Sequence, residues 1–294
     1  MHPLNSRAHW LRPAAALFAA LILILLLWPR QPPVRIAPPG ALSGEGFVGP
    51  LEGEFQPEAP LPVPAAPERQ PIAATPNIRI HVSPGSYPQD LAVGLATSME
   101  ESLTYVSERT GAQLGGPVDV TFARPEGGCG LHAAAYTGER AITLYACPDI
   151  PSRRAVNVLA HEWVHQLAHD YYGPTHLQAD LILSEGLATW GAGRYWLGRY
   201  GSFHDFVARE YGGGLLPLAA DPRADVTTAT LNQIYYQWAS YIEWLLDTVG
   251  KPAVDQLYRT GKGRAIGSAD YQGVLGIDFA ESETRWREWL GQSR

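Results

Sequence analysis

The spacing of hydrophobic residues changes twice along this chain and divides it into three segments. An uncharged, almost continuously apolar run covers residues 13–29. The following stretch, 29–76, has little periodicity and contains thirteen prolines. Beyond it, residues 77–294 switch between strand-like alternation and helix-like spacing. We therefore expect an apolar N-terminal segment, a spacer that cannot bury enough apolar surface to fold, and one folded domain.

The pattern in 77–294 predicts an α+β fold. Ile78–Val82 and Val118–Ala123 alternate as strands on either side of a helix at about 87–110, and a hairpin follows with strands at 132–136 and Ala141–Ala146. Helices are predicted at about 152–170, 182–198, 202–211, 229–249, 252–261 and 281–291. We expect a small mixed sheet whose edge hairpin packs on the helix at 152–170, followed by a helical lobe.

The N-terminal segment has the features of a signal anchor. Arg7 and Arg12 precede the apolar run, Trp28 lies at its end, and neither a small-x-small cleavage site nor a lipobox cysteine follows. We interpret 1–30 as an anchor whose membrane segment is at about 13–29, and 31–76 as a disordered, proline-rich linker. The protein would then be a single-pass protein of the cell membrane, with the domain at 77–294 extracytoplasmic. A cleaved signal peptide, giving a secreted protein, is the alternative.

Net charge argues against one class of partner. The formal charge is −7 and no basic patch is evident, so the chain lacks the cationic surface that a phosphate backbone requires. We expect no nucleic-acid partner.

The most informative chemistry lies at His161, Glu162 and His165. Two histidines four residues apart leave the same face of a helix one turn apart, close enough to bind one metal ion. The adjacent glutamate can reach a water on that metal. This H-E-x-x-H spacing is typical of zinc-assisted hydrolysis with the glutamate as general base. The alternative is an ordinary amphipathic helix with two partly buried histidines.

A catalytic zinc needs a third protein ligand and one open position. His169 would lie two turns, roughly 12 Å, from His161 along one helix, so it cannot reach the same ion. His176, just beyond Gly173-Pro174, has no supporting pattern. Glu185 is the better candidate, because it opens a second helix-favouring segment twenty residues after His165. A first-turn acid favoured by the helix dipole is the alternative reading of Glu185.

These residues carry a family resemblance. The chain resembles the gluzincin zinc metallopeptidases in having His161-Glu162-x-x-His165 followed by Glu185-Gly186-x-Ala188. More closely, the segment at about 77–289 is similar to peptidase MA-like metallohydrolase domains. That similarity includes the downstream Tyr-x-Gln-x-x-Ser element, which begins at Tyr235. The resemblance implies a zincin-like fold, Zn²⁺ held by His161, His165 and Glu185, and hydrolysis of peptide or protein substrates with Glu162 as general base acting on a zinc-bound water.

The resemblance also implies an oxyanion donor and leaves one position unmatched. The donor would be a tyrosine of the helix near 235, with Tyr235 first and Tyr236 or Tyr241 next. Thr189 stands where some gluzincins carry an aspartate that orients a histidine ligand, so another acceptor must do this. A zinc-binding module without turnover, and a zinc hydrolase acting on a non-peptide bond in the envelope, are the alternative functions.

The hairpin carries two further predictions. If Tyr136 pairs with Ala141, Cys147 falls opposite Gly130 and one step from Cys129, which favours a disulfide over two free thiols. The strand at 132–136 resembles the gluzincin edge strand that pairs with an extended substrate. An interior strand is the alternative.

Overall fold

The computed structural model describes residues 70–124, 131–224 and 226–291. The predicted anchor at 1–30, with its membrane segment at about 13–29, and most of the linker at 31–76 lie outside these ranges. Among the described residues, no helix is both long enough and apolar enough to cross a membrane.

The described chain contains one mixed sheet. Its strands are β1 (Ala73–Ala74), β2 (Ile78–Val82), β3 (Val118–Ala123), β4 (Leu131–Tyr136) and β5 (Ala141–Ala146), in the order β1-β2-β3-β5-β4. The three central strands run parallel, and β1 and β4 pair antiparallel at the two edges. The predicted small mixed sheet is therefore confirmed. Its first strand begins before position 77, where the sequence places the start of the domain.

The hairpin of β4 and β5 has the predicted register. Tyr136 pairs with Ala141, and Leu131 pairs with Ala146. β4 is an edge strand, so the edge position is confirmed and the interior alternative is wrong. Cys147, directly after β5, is disulfide-bonded rather than a free thiol. The chain's other cysteine, Cys129, lies outside the described residues.

Helices surround this sheet and continue as a C-terminal lobe. Two of them, α1 (Gln89–Gly94) and α2 (Ala96–Thr110), connect β2 to β3. The helix α3 (Ser152–Tyr172), which carries the H-E-x-x-H residues, packs on β4, β5 and α2. A 3₁₀ segment at Gly173–Gln178 follows it, and the lobe consists of α4 (Leu181–Ala192), α5 (Arg194–Leu197), α6 (Phe203–Glu210), α7 (Thr228–Tyr258), α8 (Tyr271–Leu275) and α9 (Phe279–Leu290). The α+β class is confirmed.

Two predicted helices are interrupted in the structure. The helix predicted at 182–198 is broken at Gly193, whose φ is +45° and whose absent Cβ would lie 2.2 Å from the Tyr105 hydroxyl. The helix predicted at 87–110 divides at Leu95. The two helices predicted on either side of position 250 are confirmed, because α7 consists of two helical segments separated by the non-helical Gly250, where φ is +76°. Tertiary contact sets the first break, and local backbone chemistry sets the last.

Two glycines allow α4 to pack unusually close to both of its neighbours. A Cβ on Gly186 would lie 2.7 Å from the backbone oxygen of Trp238 on α7. A Cβ on Gly191 would lie 2.6 Å from a methyl group of Val164 on α3. The glycine of the Glu-Gly-x-Ala segment therefore has a packing function. It brings α7 close to the helix that bears Glu185.

Replacing Gly186 with alanine should destabilise the protein. The added methyl group meets a backbone atom that cannot rotate away, and overpacking of this kind typically costs about 1–3 kcal/mol. Gly94→Ala is a matched control, because a Cβ at Gly94 has no atom within 4 Å. Urea unfolding of the full chain should show a lower midpoint for G186A and no loss for G94A. Equal midpoints for G186A and the unsubstituted protein would contradict the packing argument.

Candidate metal centre

Three side chains from two helices meet at one point in the structure. His161 and His165 on α3 bring their Nε2 atoms to 3.2 Å from each other. The Oε2 atom of Glu185, on α4, lies 3.3 Å from His161 Nε2 and 3.4 Å from His165 Nε2. All three predicted ligands are thus brought together, and they could hold a metal ion.

The helices position these atoms in different ways. On α3 the i,i+4 spacing alone places both imidazoles on one face. Glu185 depends on tertiary packing, because α4 lies against α3 and its start is capped by Asp180, which accepts a hydrogen bond from Ile182 N at 3.1 Å. The centre therefore requires the α3–α4 contact as well as the motif.

Burial and charge favour the metal-binding forms of His161 and Glu185. His161 is only 1 % exposed, and this desolvation lowers its pKa to about 4, so its ring is neutral. Burial alone would raise the pKa of Glu185, but His165, His161 and Arg264 outweigh it and lower that pKa well below its ordinary value. A neutral imidazole beside an ionised carboxylate is the donor set that a divalent cation needs.

Glu162 lies beside the centre without joining it. Its side chain is buried and lies close enough to His165 for its negative charge to act on that ring. Burial opposes protonation of His165, but the carboxylates of Glu185 and Glu162 raise the pKa of that ring. Among the described histidines, cysteines and acids, the converging ligand group consists of His161, His165 and Glu185 and leaves Glu162 out.

The three candidate tyrosines have different surroundings. The ring centre of Tyr235 lies 6.0 Å from that of His161. The hydroxyl of Tyr236 donates to Trp196 O at 2.8 Å, and that of Tyr241 pairs with Ser282 Oγ at 2.5 Å, both within the core. Tyr235 is thus the one of these three that the structure brings beside a histidine of the centre.

The two histidines set aside as ligands lie near the centre with other partners. His169 Nδ1 is 3.0 Å from the hydroxyl of Thr137. His176 does fold back, with its ring centre 5.7 Å from that of His165, but its Nδ1 is paired with the Tyr258 hydroxyl at 2.8 Å. Neither belongs to the ligand group found among the described residues.

Two contacts to the ligands were missed by sequence reasoning. The hydroxyl of Thr189 lies 3.4 Å from His161 Nδ1, so the threonine that replaces the expected aspartate itself faces the ligand. Arg264, on the loop before α8, donates from Nη2 to Glu185 Oε1 at 2.7 Å. Thr189 could have been found from its position one turn after Glu185. Arg264 had no sequence signal, because it lies 79 residues from its partner.

Comparison with known proteins yields structural neighbours only. No family model and no curated protein matches the chain. It is similar to the crystal structure of an M1 zinc metallopeptidase from Deinococcus radiodurans, at 22 % identity and a TM-score of 0.39, covering 72 % of this chain and 48 % of that one. It is also similar to a mutant two-domain M1 zinc metallopeptidase bound to L-arginine, at 21 % identity and a TM-score of 0.37, covering 74 % and 48 %. The chain spans about half the length of these neighbours.

Removing the Thr189 hydroxyl should weaken metal binding. If His161 donates from Nδ1–H to Thr189, the Nε2 lone pair is turned toward the metal, and loss of such an outer contact typically costs about tenfold or more in affinity. Thr189→Val should therefore bind a divalent metal about tenfold more weakly in competition with a chelating dye, and Thr189→Ser should not.

Thr104→Val is the matched control, because that threonine is exposed on α2 and bonds only the backbone oxygen of Glu100 in the structure. An affinity for T189V equal to that of T104V would mean that Thr189 does not orient His161.

Proposed function

We propose that this chain is a zinc-dependent hydrolase of peptide bonds, of the gluzincin type. The observation that carries the proposal is the trio of donor atoms separated by 3.2–3.4 Å, with a buried carboxylate beside them. Ligands at roughly 2.0–2.1 Å from a tetrahedral zinc stand about 3.3–3.4 Å apart, so two nitrogens and one oxygen at these separations fit Zn²⁺. The three protein donors leave the fourth corner open for the reaction.

The residues divide the chemistry among them. When bound, Zn²⁺ polarises a substrate carbonyl and lowers the pKa of a coordinated water to about 7. Glu162 takes a proton from the attacking water and later delivers it to the leaving amine. Tyr235 donates from its hydroxyl to the oxygen that becomes negative. Glu162 is suited to its role because it is close to the ligands and not one of them.

The edge strand supports a peptide as the substrate. β4 lies at the edge of the sheet and packs on α3, the helix that holds both histidines. An extended peptide added to this edge would form ladder hydrogen bonds, which recognise backbone rather than side chains. Such pairing would hold the scissile carbonyl in register with the metal centre. A non-peptide envelope substrate has no comparable use for this strand.

The proposed location is outside the cytoplasm. The apolar run at 13–29 would anchor the chain, and the linker at 31–76 would hold the domain away from the membrane. The disulfide at Cys147 supports this location, because such bonds persist in oxidising compartments.

Replacing Glu185 should remove the metal. The amide of Glu185→Gln keeps the volume but loses the charge, so the purified full chain should fall from about one zinc per molecule to a small fraction of that value by elemental analysis. Glu283→Gln is the control, since Glu283 pairs with Arg287 on α9. Full zinc occupancy in E185Q would contradict the assignment of the third ligand.

Replacing Glu162 should separate binding from turnover. Glu162→Gln should keep about one zinc per chain but lose at least a hundredfold in kcat on a cleaved peptide, because the amide cannot accept the proton. Peptide-library digestion with chelator-treated and zinc-restored protein supplies the substrate. Turnover by E162Q at the unsubstituted rate would refute the general-base role. Zinc binding without cleavage of any peptide would favour a silent binding module or a non-peptide substrate.

A further inference from the structure

Arg264 places a positive charge at the metal centre that the proposed reaction does not use. Its Nη2 donates to Oε1 of Glu185, the oxygen that faces away from the two histidines. The Arg264 side chain is 40 % exposed, whereas that of Glu185 is 9 % exposed. Among the described residues, its guanidinium has no other hydrogen-bond partner. The guanidinium is thus held by one hydrogen bond from Nη2, which leaves its other N–H groups available to a ligand.

The loop that carries Arg264 is held in place by α4. A Cβ on Gly261 would lie 2.2 Å from the backbone nitrogen of Asp180, so the two segments are in backbone contact. The fully buried carboxylate of Asp180 also accepts from Gly267 N at 3.1 Å and Ala269 N at 3.2 Å. Arg264 itself adopts the left-handed region, with φ at +57°. A costly backbone conformation held by a buried network indicates a position that the fold maintains.

The charge balance of the centre favours an anion. A divalent cation would be neutralised by the carboxylates of Glu185 and Glu162, and Arg264 then leaves one positive charge at the half-buried edge of the centre. Electrostatic attraction is stronger at such a half-buried charge than between fully solvated ions. A guanidinium also matches a carboxylate geometrically, since two of its N–H groups can point at the two oxygens.

We propose that Arg264 forms a carboxylate-binding subsite, so that the preferred substrate is a peptide with a carboxylate beside the scissile bond. The carboxylate comes either from an acidic side chain or from a free C-terminus. This inference rests on the proposed hydrolase function and adds the substrate class to it. Because the guanidinium also holds Glu185, Arg264 is in addition a positioning residue. The two roles differ in their effect on selectivity.

The test compares three matched peptide libraries on the zinc-loaded full chain. One library is neutral and C-terminally amidated, the second carries Asp and Glu in place of Asn and Gln, and the third is neutral with a free C-terminus. Binding is measured on the Glu162→Gln protein, and kcat/KM is measured with Glu162 present. The variants are Arg264→Gln and Arg264→Lys, and Arg285→Gln is the control, because Arg285 is exposed on α9 and pairs with Glu281.

We expect the acidic or the free-carboxylate library to bind and react at least tenfold better than the neutral one, and the better library identifies the source of the carboxylate. Arg264→Gln should reduce this ratio to about one, Arg264→Lys should retain part of it, and Arg285→Gln should leave it unchanged. If Arg264 only positions Glu185, its replacement should lower kcat/KM equally for the libraries with and without a carboxylate, and their ratio should stay unchanged.

A ratio near one in the unsubstituted protein, or an unchanged ratio in R264Q, would overturn the subsite while peptide hydrolysis stands. Absence of both binding and cleavage in every library would overturn the hydrolase proposal and the subsite with it.

Discussion

The close packing of α3 against α4 is the constraint on which the centre depends. His161 and His165 share a face by helical geometry alone, but their third partner, Glu185, comes from another helix. Burying a carboxylate is costly unless opposite charges or hydrogen bonds stabilise it. Here the two imidazoles and Arg264 surround Glu185, which keeps it ionised. The same packing therefore brings together three donor atoms that could hold a metal ion.

Small residues and a buried cap make this packing possible. Gly191 lets α4 approach α3, and Gly186 lets α7 approach α4 from the other side. Asp180 caps α4 and also binds the loop that carries Arg264, so the helix and the loop are fixed by one carboxylate. The ligand on α4, the tyrosine on α7 and the arginine on the loop are thus positioned by a shared set of contacts.

Local periodicity explains which parts of this arrangement could be predicted from the sequence. The i,i+4 histidines and the Tyr136–Ala141 hairpin register follow from spacings of 3.6 and 2 residues, and the structure has both. The break at Gly193 could not be predicted, since it depends on contact with Tyr105 from α2. Tyr235 and Tyr236 are neighbours in sequence but leave α7 on different faces. Tertiary contacts distinguish them, because Tyr236 packs on Phe206 whereas Tyr235 lies beside His161.

A crystal of the zinc-loaded full chain would show whether these three side chains hold one ion. Anomalous diffraction on either side of the zinc absorption edge locates the metal without assuming its ligands. We expect a single strong peak per chain, about 2.0–2.2 Å from Nε2 of His161, Nε2 of His165 and a carboxylate oxygen of Glu185. A peak bound elsewhere, or one with Glu185 turned away from it, would rule out this set of three ligands.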